Sequence, residues 1–145
     1  MRINIFYILI FCFFIAFESN GKENFFEEAK KKYEENNLED SKFLFQRNIV
    51  FNPKNAESYL FLAKIYNSEK NEKEEIKNLE TTLLLEPQNE EALFMLIEIG
   101  LEKSNFSEVK DLKKKFQVIC KNLCDNIEII NERLKDIEAK NESVE

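Results

Sequence analysis

The 145-residue sequence contains no histidine. That absence removes the Ser-His and Cys-His nucleophile pairs, the usual zinc and haem ligands and the commonest general base near neutral pH. Carboxylates and lysines remain, but no Gly-rich phosphate loop, nucleophile elbow or EF-hand spacing accompanies them. No enzyme, cofactor or metal is therefore expected. Glycine and proline are scarce, with two of each. These are too few breakers for a chain of many short strands, and the abundant Leu, Glu, Lys and Ile point to helices instead. Positive charge is also in short supply: the net charge is -7, and the only basic runs, Lys30 to Lys32 and Lys113 to Lys115, are flanked by acidic residues. A phosphate backbone demands a clustered positive surface, so no nucleic-acid partner is expected and both runs read as solvated helix faces.

What is present is a folded chain, 34% charged and 43% hydrophobic, with room for one domain. Its start is a leader: Arg2, an unbroken apolar run from Ile5 to Phe17, then Glu18, Ser19, Asn20 and Gly21. A positive start, an apolar middle and a polar exit are the order of a secretory signal. As a helix the run would span about 20 Å, short of the roughly 30 Å of hydrocarbon that a stable span crosses. Residues 1–19 are thus expected to be a cleaved signal peptide. The small residues of a good cleavage site are missing, and this leaves an uncleaved membrane anchor open. Export is the expectation either way, to a bacterial periplasm or tethered to the inner membrane facing it. Losing residues 1–19 takes away only Arg2 and Glu18, so the exported part keeps its charge of -7, and it touches membrane only through that segment.

Pro53 and Pro87 lie 34 residues apart, and their surroundings agree at the same interval: Asn55 with Asn89, Phe51 with Leu85, Ile49 with Leu83, Phe45 with Leu79. Phe25, Tyr59 and Leu93 keep the step, as do Ala29, Ala63 and Ile97. Asn37, Asn71 and Asn105 mark the points where one amphipathic stretch gives way to the next. An asparagine there can accept a hydrogen bond from the free N–H groups that open a second helix. A period of this length built from two helices identifies a helical-hairpin repeat.

In these residues the chain resembles the tetratricopeptide repeat, TPR. Residues 56–89 match best, with Tyr59, Leu62, Ala63, Tyr66, Leu79, Leu83 and Pro87 in the family's places and Glu75 where the family has a small residue. Residues 22–55 keep Phe25, Ala29, Tyr33, Phe45 and Pro53, with Ser41 at the small position. A divergent third unit covers residues 90–122: Gly100 stands opposite Tyr66, no proline closes it, and its stripe of Val109, Leu112, Phe116 and Ile119 runs one residue ahead of Ile76, Leu79 and Leu83. Either a rotated second helix or a lost residue would produce that shift. Ile127, Ile130, Leu134 and Ile137 make a capping helix over residues 124–138, and a polar tail, 139–145, is expected to fray. The fold implied is all-α: a right-handed superhelix of about three TPR hairpins with a C-terminal cap, preceded by the leader helix.

The resemblance implies a concave wall of first-helix side chains that holds an extended or helical peptide. On it would stand Phe26, Lys30, Tyr33 and Glu34, then Leu60, Lys64 and Asn67, then Phe94, Glu98 and Leu101. Phe26, Leu60 and Phe94 recur at the repeat interval and would form an apolar ridge, or else be half-buried between units. The family's carboxylate clamp is not implied, because Phe26 and Lys30 occupy its places. The function implied is an exported protein-protein interaction module that scaffolds an assembly or holds a client peptide, with another protein as partner. A self-assembling subunit is the alternative.

Cys120 and Cys124 remain. Residues four apart in an intact helix have Cβ atoms about 6 Å apart, beyond the roughly 3.5–4.5 Å of a disulfide, so bonding requires a break near residues 121–123. A staple between the third unit and the cap, a pair of buried thiols and a redox pair are the three readings open.

Overall fold

The computed structural model describes residues 24–142, with side chains through residue 136. The leader expected over residues 1–19 lies outside the described residues. Seven helices and no strand occur among them: α1 Phe25–Glu34, α2 Leu38–Phe51, α3 Ala56–Ser68, α4 Glu72–Leu85, α5 Glu90–Glu102, α6 Phe106–Ile119 and α7 Asn126–Glu142. The second helices α2, α4 and α6 each run 14 residues and start 34 residues apart. No residue has therefore been lost from the third hairpin.

Each hairpin turns in the same way, and the sequence explains how. Asn36, Lys70 and Ser104 take left-handed backbone with φ of 59°, 57° and 55°. The next residue's N–H then reaches back to the first helix: Asn37 to the Lys32 carbonyl, Asn71 to Tyr66 and Asn105 to Gly100, each at 2.9 Å. That is a Schellman closure. The same asparagine opens the following helix. Asn37 Oδ1 accepts from the Asp40 N–H and Asn71 Oδ1 from the Glu74 N–H, both at 3.4 Å. Asn105 departs from expectation by making no such cap; its amide donates to Glu108 at 2.5 Å, as the Asn37 amide does to Asp40 at 2.7 Å. Asn55 and Asn89 cap α3 and α5 more tightly, at 2.7 and 2.9 Å. Pro53 and Pro87 sit just past α2 and α4, where a residue without an N–H cannot extend the helix.

The core is three linked clusters strung along the stack. Phe25, Ala29, Leu44, Phe45, Leu62 and Ile65 join the first hairpin to the second. Leu60, Ala63, Leu79, Ala92 and Ile99 join the second to the third. Leu93, Ile97, Leu101, Val109 and Phe116 fill the third hairpin, and Ile130 and Leu134 of α7 close it. The cap starts two residues later than expected and continues to Glu142, through part of the segment expected to fray.

The phase problem of the third unit is resolved by side chains and not by the backbone. Ser41, Glu75 and Val109 are equivalent positions, and all three are buried. Ser41 satisfies its hydroxyl on the Ala29 carbonyl at 2.9 Å. Valine is larger, and Gly100 makes the room for it: a Cβ on Gly100 would lie 2.6 Å from Val109 Cγ2. Where Phe45 and Leu79 are buried, the third unit has Lys113, whose ammonium donates to Asn131 of the cap at 2.8 Å.

Candidate functional site

First-helix side chains of the three hairpins form a repeating charge pattern. Lys30 pairs with Glu57 at 3.5 Å and, one repeat on, Lys64 pairs with Glu91 at 2.7 Å. The next equivalent position reverses sign: Glu98 accepts from Arg133 of α7 at 2.5 Å. Lys30 and Lys64 also lie over the Phe61 ring, at 6.0 and 5.0 Å from its centroid. Phe61 is the hub of this end, stacked on Phe45 at 4.9 Å and edge-on to Tyr33 at 5.0 Å and Phe26 at 6.5 Å.

Two of the expected wall residues are core residues. Leu60 is 5% exposed among Ala63, Leu79 and Ala92, and Leu101 is 4% exposed against Val109 and Phe116. Phe26 and Phe94 are half-buried, Phe26 against Phe45 and Phe61 and Phe94 against Phe116 at 5.9 Å. Of the two arrangements expected for these three groups the open ridge is absent: Leu60 is buried, Phe26 is half-buried against Phe61 of the next hairpin, and Phe94 is half-buried against Phe116 of its own. Glu34 is exposed.

What the stack does open is a cleft of about 440 Å³ between the second and third hairpins. Asn67, Phe94 and Glu98 line it together with Lys70, Glu72, Glu75, Met95, Ile99 and Glu102. Glu75 is its most unusual member. At 4% exposure it is nearly withdrawn from water, and Asn67 donates to its Oε1 at 3.0 Å. Burial pushes this carboxyl above its ordinary value, and nearby Glu102 and Glu72 push the same way; the Asn67 hydrogen bond opposes them. Sequence reasoning located Asn67, Phe94 and Glu98 but missed Glu75 as a groove residue. The departure of Glu75 from the family's small residue was the available signal. Phe61 was missed without any signal, since the positions one repeat away are Glu27 and Met95.

A second hollow, about 670 Å³, lies at the α4–α5 turn and is lined by Leu60, Glu86, Pro87, Gln88, Asn89, Glu90 and Glu91. Beside it the chain breaks as the cysteines require: α6 ends at Ile119 and Cys120 is bonded to Cys124 with Cα atoms 5.3 Å apart. The loop so formed grips Glu90. Its carboxylate accepts from the N–H groups of Lys121 at 2.6 Å and Asn122 at 3.1 Å, and from the Asn122 side chain at 2.9 Å. Those donors, the Lys121 N–H foremost, hold the Glu90 carboxyl below its ordinary value. Among the described residues no group of acidic or cysteine side chains is arranged to hold a metal ion, and no helix is long and apolar enough to cross a membrane.

No protein-family model matches the sequence, and no curated protein matches it. Solved structures do match. The type III secretion translocator chaperone SycD of Yersinia enterocolitica superposes with a TM-score of 0.70 at 18% identity, over 88% of this chain and 93% of that one. The same chaperone in complex with a peptide of the translocator YopD gives 0.68 at 18% identity, over 86% and 97%. PcrH in complex with the chaperone binding region of PopD gives 0.67 at 12% identity, over 86% and 96%. At these identities the likeness establishes the fold, an all-helical, TPR-like one shared with secretion chaperones.

Proposed function

We propose that this chain is a protein-interaction module that holds a segment of a partner protein against its first helices, in the manner of a scaffold or a holding chaperone. The cleft at Asn67, Phe94 and Glu98 carries the reading, because side chains from two consecutive first helices converge there around open space. Two of the structural neighbours are seen with a peptide or binding region of another protein, which supports the same use of the fold. The expected leader makes the module an exported one.

A photocrosslinking residue placed at Phe94 is expected to yield partner adducts in intact cells, and one at Leu84, which is exposed on α4 and does not line the cleft, is not. Equal adducts from both positions would remove the reading. Export is checked by N-terminal sequencing of the mature protein, which should begin after residue 19, or by its fractionation with the membrane if the leader stays.

Self-assembly has one observation in its favour. Val50, Leu84 and Val118 recur at the repeat interval on α2, α4 and α6 and are 75%, 79% and 84% exposed. Light scattering decides, since a monomer at micromolar concentration leaves this row without a role in self-association.

A further inference from the structure

We propose that the Cys120–Cys124 bond is a redox-operated latch: it keeps α6 and α7 apart as two helices, and its reduction lets residues 120–125 join them into one continuous helix that lifts the cap off the third hairpin. Such a switch operates whether or not the groove holds a peptide. Residues 120–125 contain no glycine and no proline, yet α6 stops at Ile119 and α7 starts only at Asn126. The apolar register runs straight through this gap. Phe116, Ile119, Leu123, Ile127, Ile130 and Leu134 step by 3, 4, 4, 3 and 4 residues, the spacing of one face of an uninterrupted helix.

Two features hold the break. Cysteines four apart cannot bond in an intact helix, and here they are bonded with Cα atoms 5.3 Å apart. The N–H groups of Lys121, Asn122 and Leu123, which in a continued α6 would donate to the carbonyls of Gln117, Val118 and Ile119, converge on the Glu90 carboxylate at 2.6, 3.1 and 3.5 Å. A longer helix and Glu90 thus compete for the same three donors. The disulfide decides for Glu90, because it forbids the helical alternative. The turned form also buries Ile130 and Leu134 in the core of the third hairpin and ties the cap through Lys113 to Asn131 and Arg133 to Glu98. Once the bond is broken, only those contacts and Glu90 oppose the joining of the two helices.

Both cysteines are half-buried, so a reductant can reach them. The step is thiol–disulfide exchange with a dithiol, either a small molecule or a protein with two cysteines. One donor thiolate attacks a sulfur of the pair, the S–S bond breaks as a mixed disulfide forms, and the donor's second thiol resolves it. Two electrons and two protons pass to Cys120 and Cys124, which become thiols, and the donor leaves as a disulfide. The coupling is reciprocal: Glu90 favours the turned form in which the two sulfurs meet, so it also favours the oxidised state.

The test uses the full chain with Lys114 of α6 and Asp136 of α7, both exposed, replaced by p-acetylphenylalanine and spin-labelled for distance measurement. In a continuous helix these positions lie about 33 Å apart, at about 1.5 Å per residue, whereas the turned form sets Lys113 against Asn131. The oxidised protein is expected to give only a short distance, and dithiothreitol should bring up a population at the long one. Cys120→Ser/Cys124→Ser should show that population without reductant. Glu90→Gln should enlarge it severalfold in the reduced protein and leave the oxidised protein short. Asn122→Gly keeps the N–H but disfavours helix, and should shrink it. A short distance that persists in both the reduced protein and the double variant overturns the latch, since the break then stands without the bond. A broad spread of distances with loss of helical circular dichroism overturns it too, because the cap has then melted and not joined α6.

Discussion

Gly100 on α5 faces Val109 on α6 so closely that a methyl group on the glycine would come within 2.6 Å of Val109 Cγ2. At the equivalent position of the first hairpin the small residue is on the second helix, Ser41, which donates to the Ala29 carbonyl. Two opposing terms follow for Gly100→Ala. Helix propensity favours alanine by about 1 kcal/mol, and overpacking costs about 1–3 kcal/mol. Net destabilisation is expected, because valine is branched at Cβ and cannot swing away freely. In a Val109→Ala background the clash is gone and the same substitution should stabilise. Urea unfolding of the four proteins measures this; a Gly100→Ala effect of the same sign in both backgrounds would refute the fit.

Ser104 pays a conformational cost at φ 55° that glycine would not. Ser104→Gly should raise stability by about 0.5–1 kcal/mol, seen as a higher melting temperature.

The raised carboxyl of Glu75 makes stability depend on pH with a definite sign. Below its ordinary value of 4.5 the group is protonated whether the chain is folded or not, and it imposes no electrostatic penalty. As pH rises through the higher folded-state value, the folded protein must carry a charge it disfavours. Glu75→Gln keeps an acceptor for Asn67, so it should raise the melting temperature at pH 7 and lose that advantage as the solution is acidified. A constant difference across pH would contradict the assignment.

Glu90 has the opposite sign. Held by the loop N–H groups below its ordinary value of 4.5, it contributes stability above that value which is lost as pH falls through the depressed one. Glu90→Gln should therefore lower the melting temperature at neutral pH, and the two proteins should converge in acid.

The Cys120–Cys124 bond closes the loop that Glu90 grips. In native Cys12→Ser protein without reductant, thiol titration should find no free thiol. Cys120→Ser/Cys124→Ser should cost about 2 kcal/mol on loop-closure grounds. Two titratable thiols in the unreduced protein would remove the staple.

By itself the sequence determined the class, the period and the joints. Helix ends are written in local chemistry, so Pro53, Pro87 and the asparagines at positions 37, 55, 71 and 89 could be read one at a time and placed on a common ruler. Which face a residue occupies is also local, set by 3.6 residues per turn. Whether that face meets water is not, because the covering atoms come from another hairpin. Hence Leu60 and Leu101 went to the core, the cleft opened around Glu75, and the shifted stripe of the third unit was settled by a glycine and a cap helix. Tertiary structure alone decided those, since each depends on the volume and charge of side chains about 10 to 35 positions away, which no periodicity within one helix encodes.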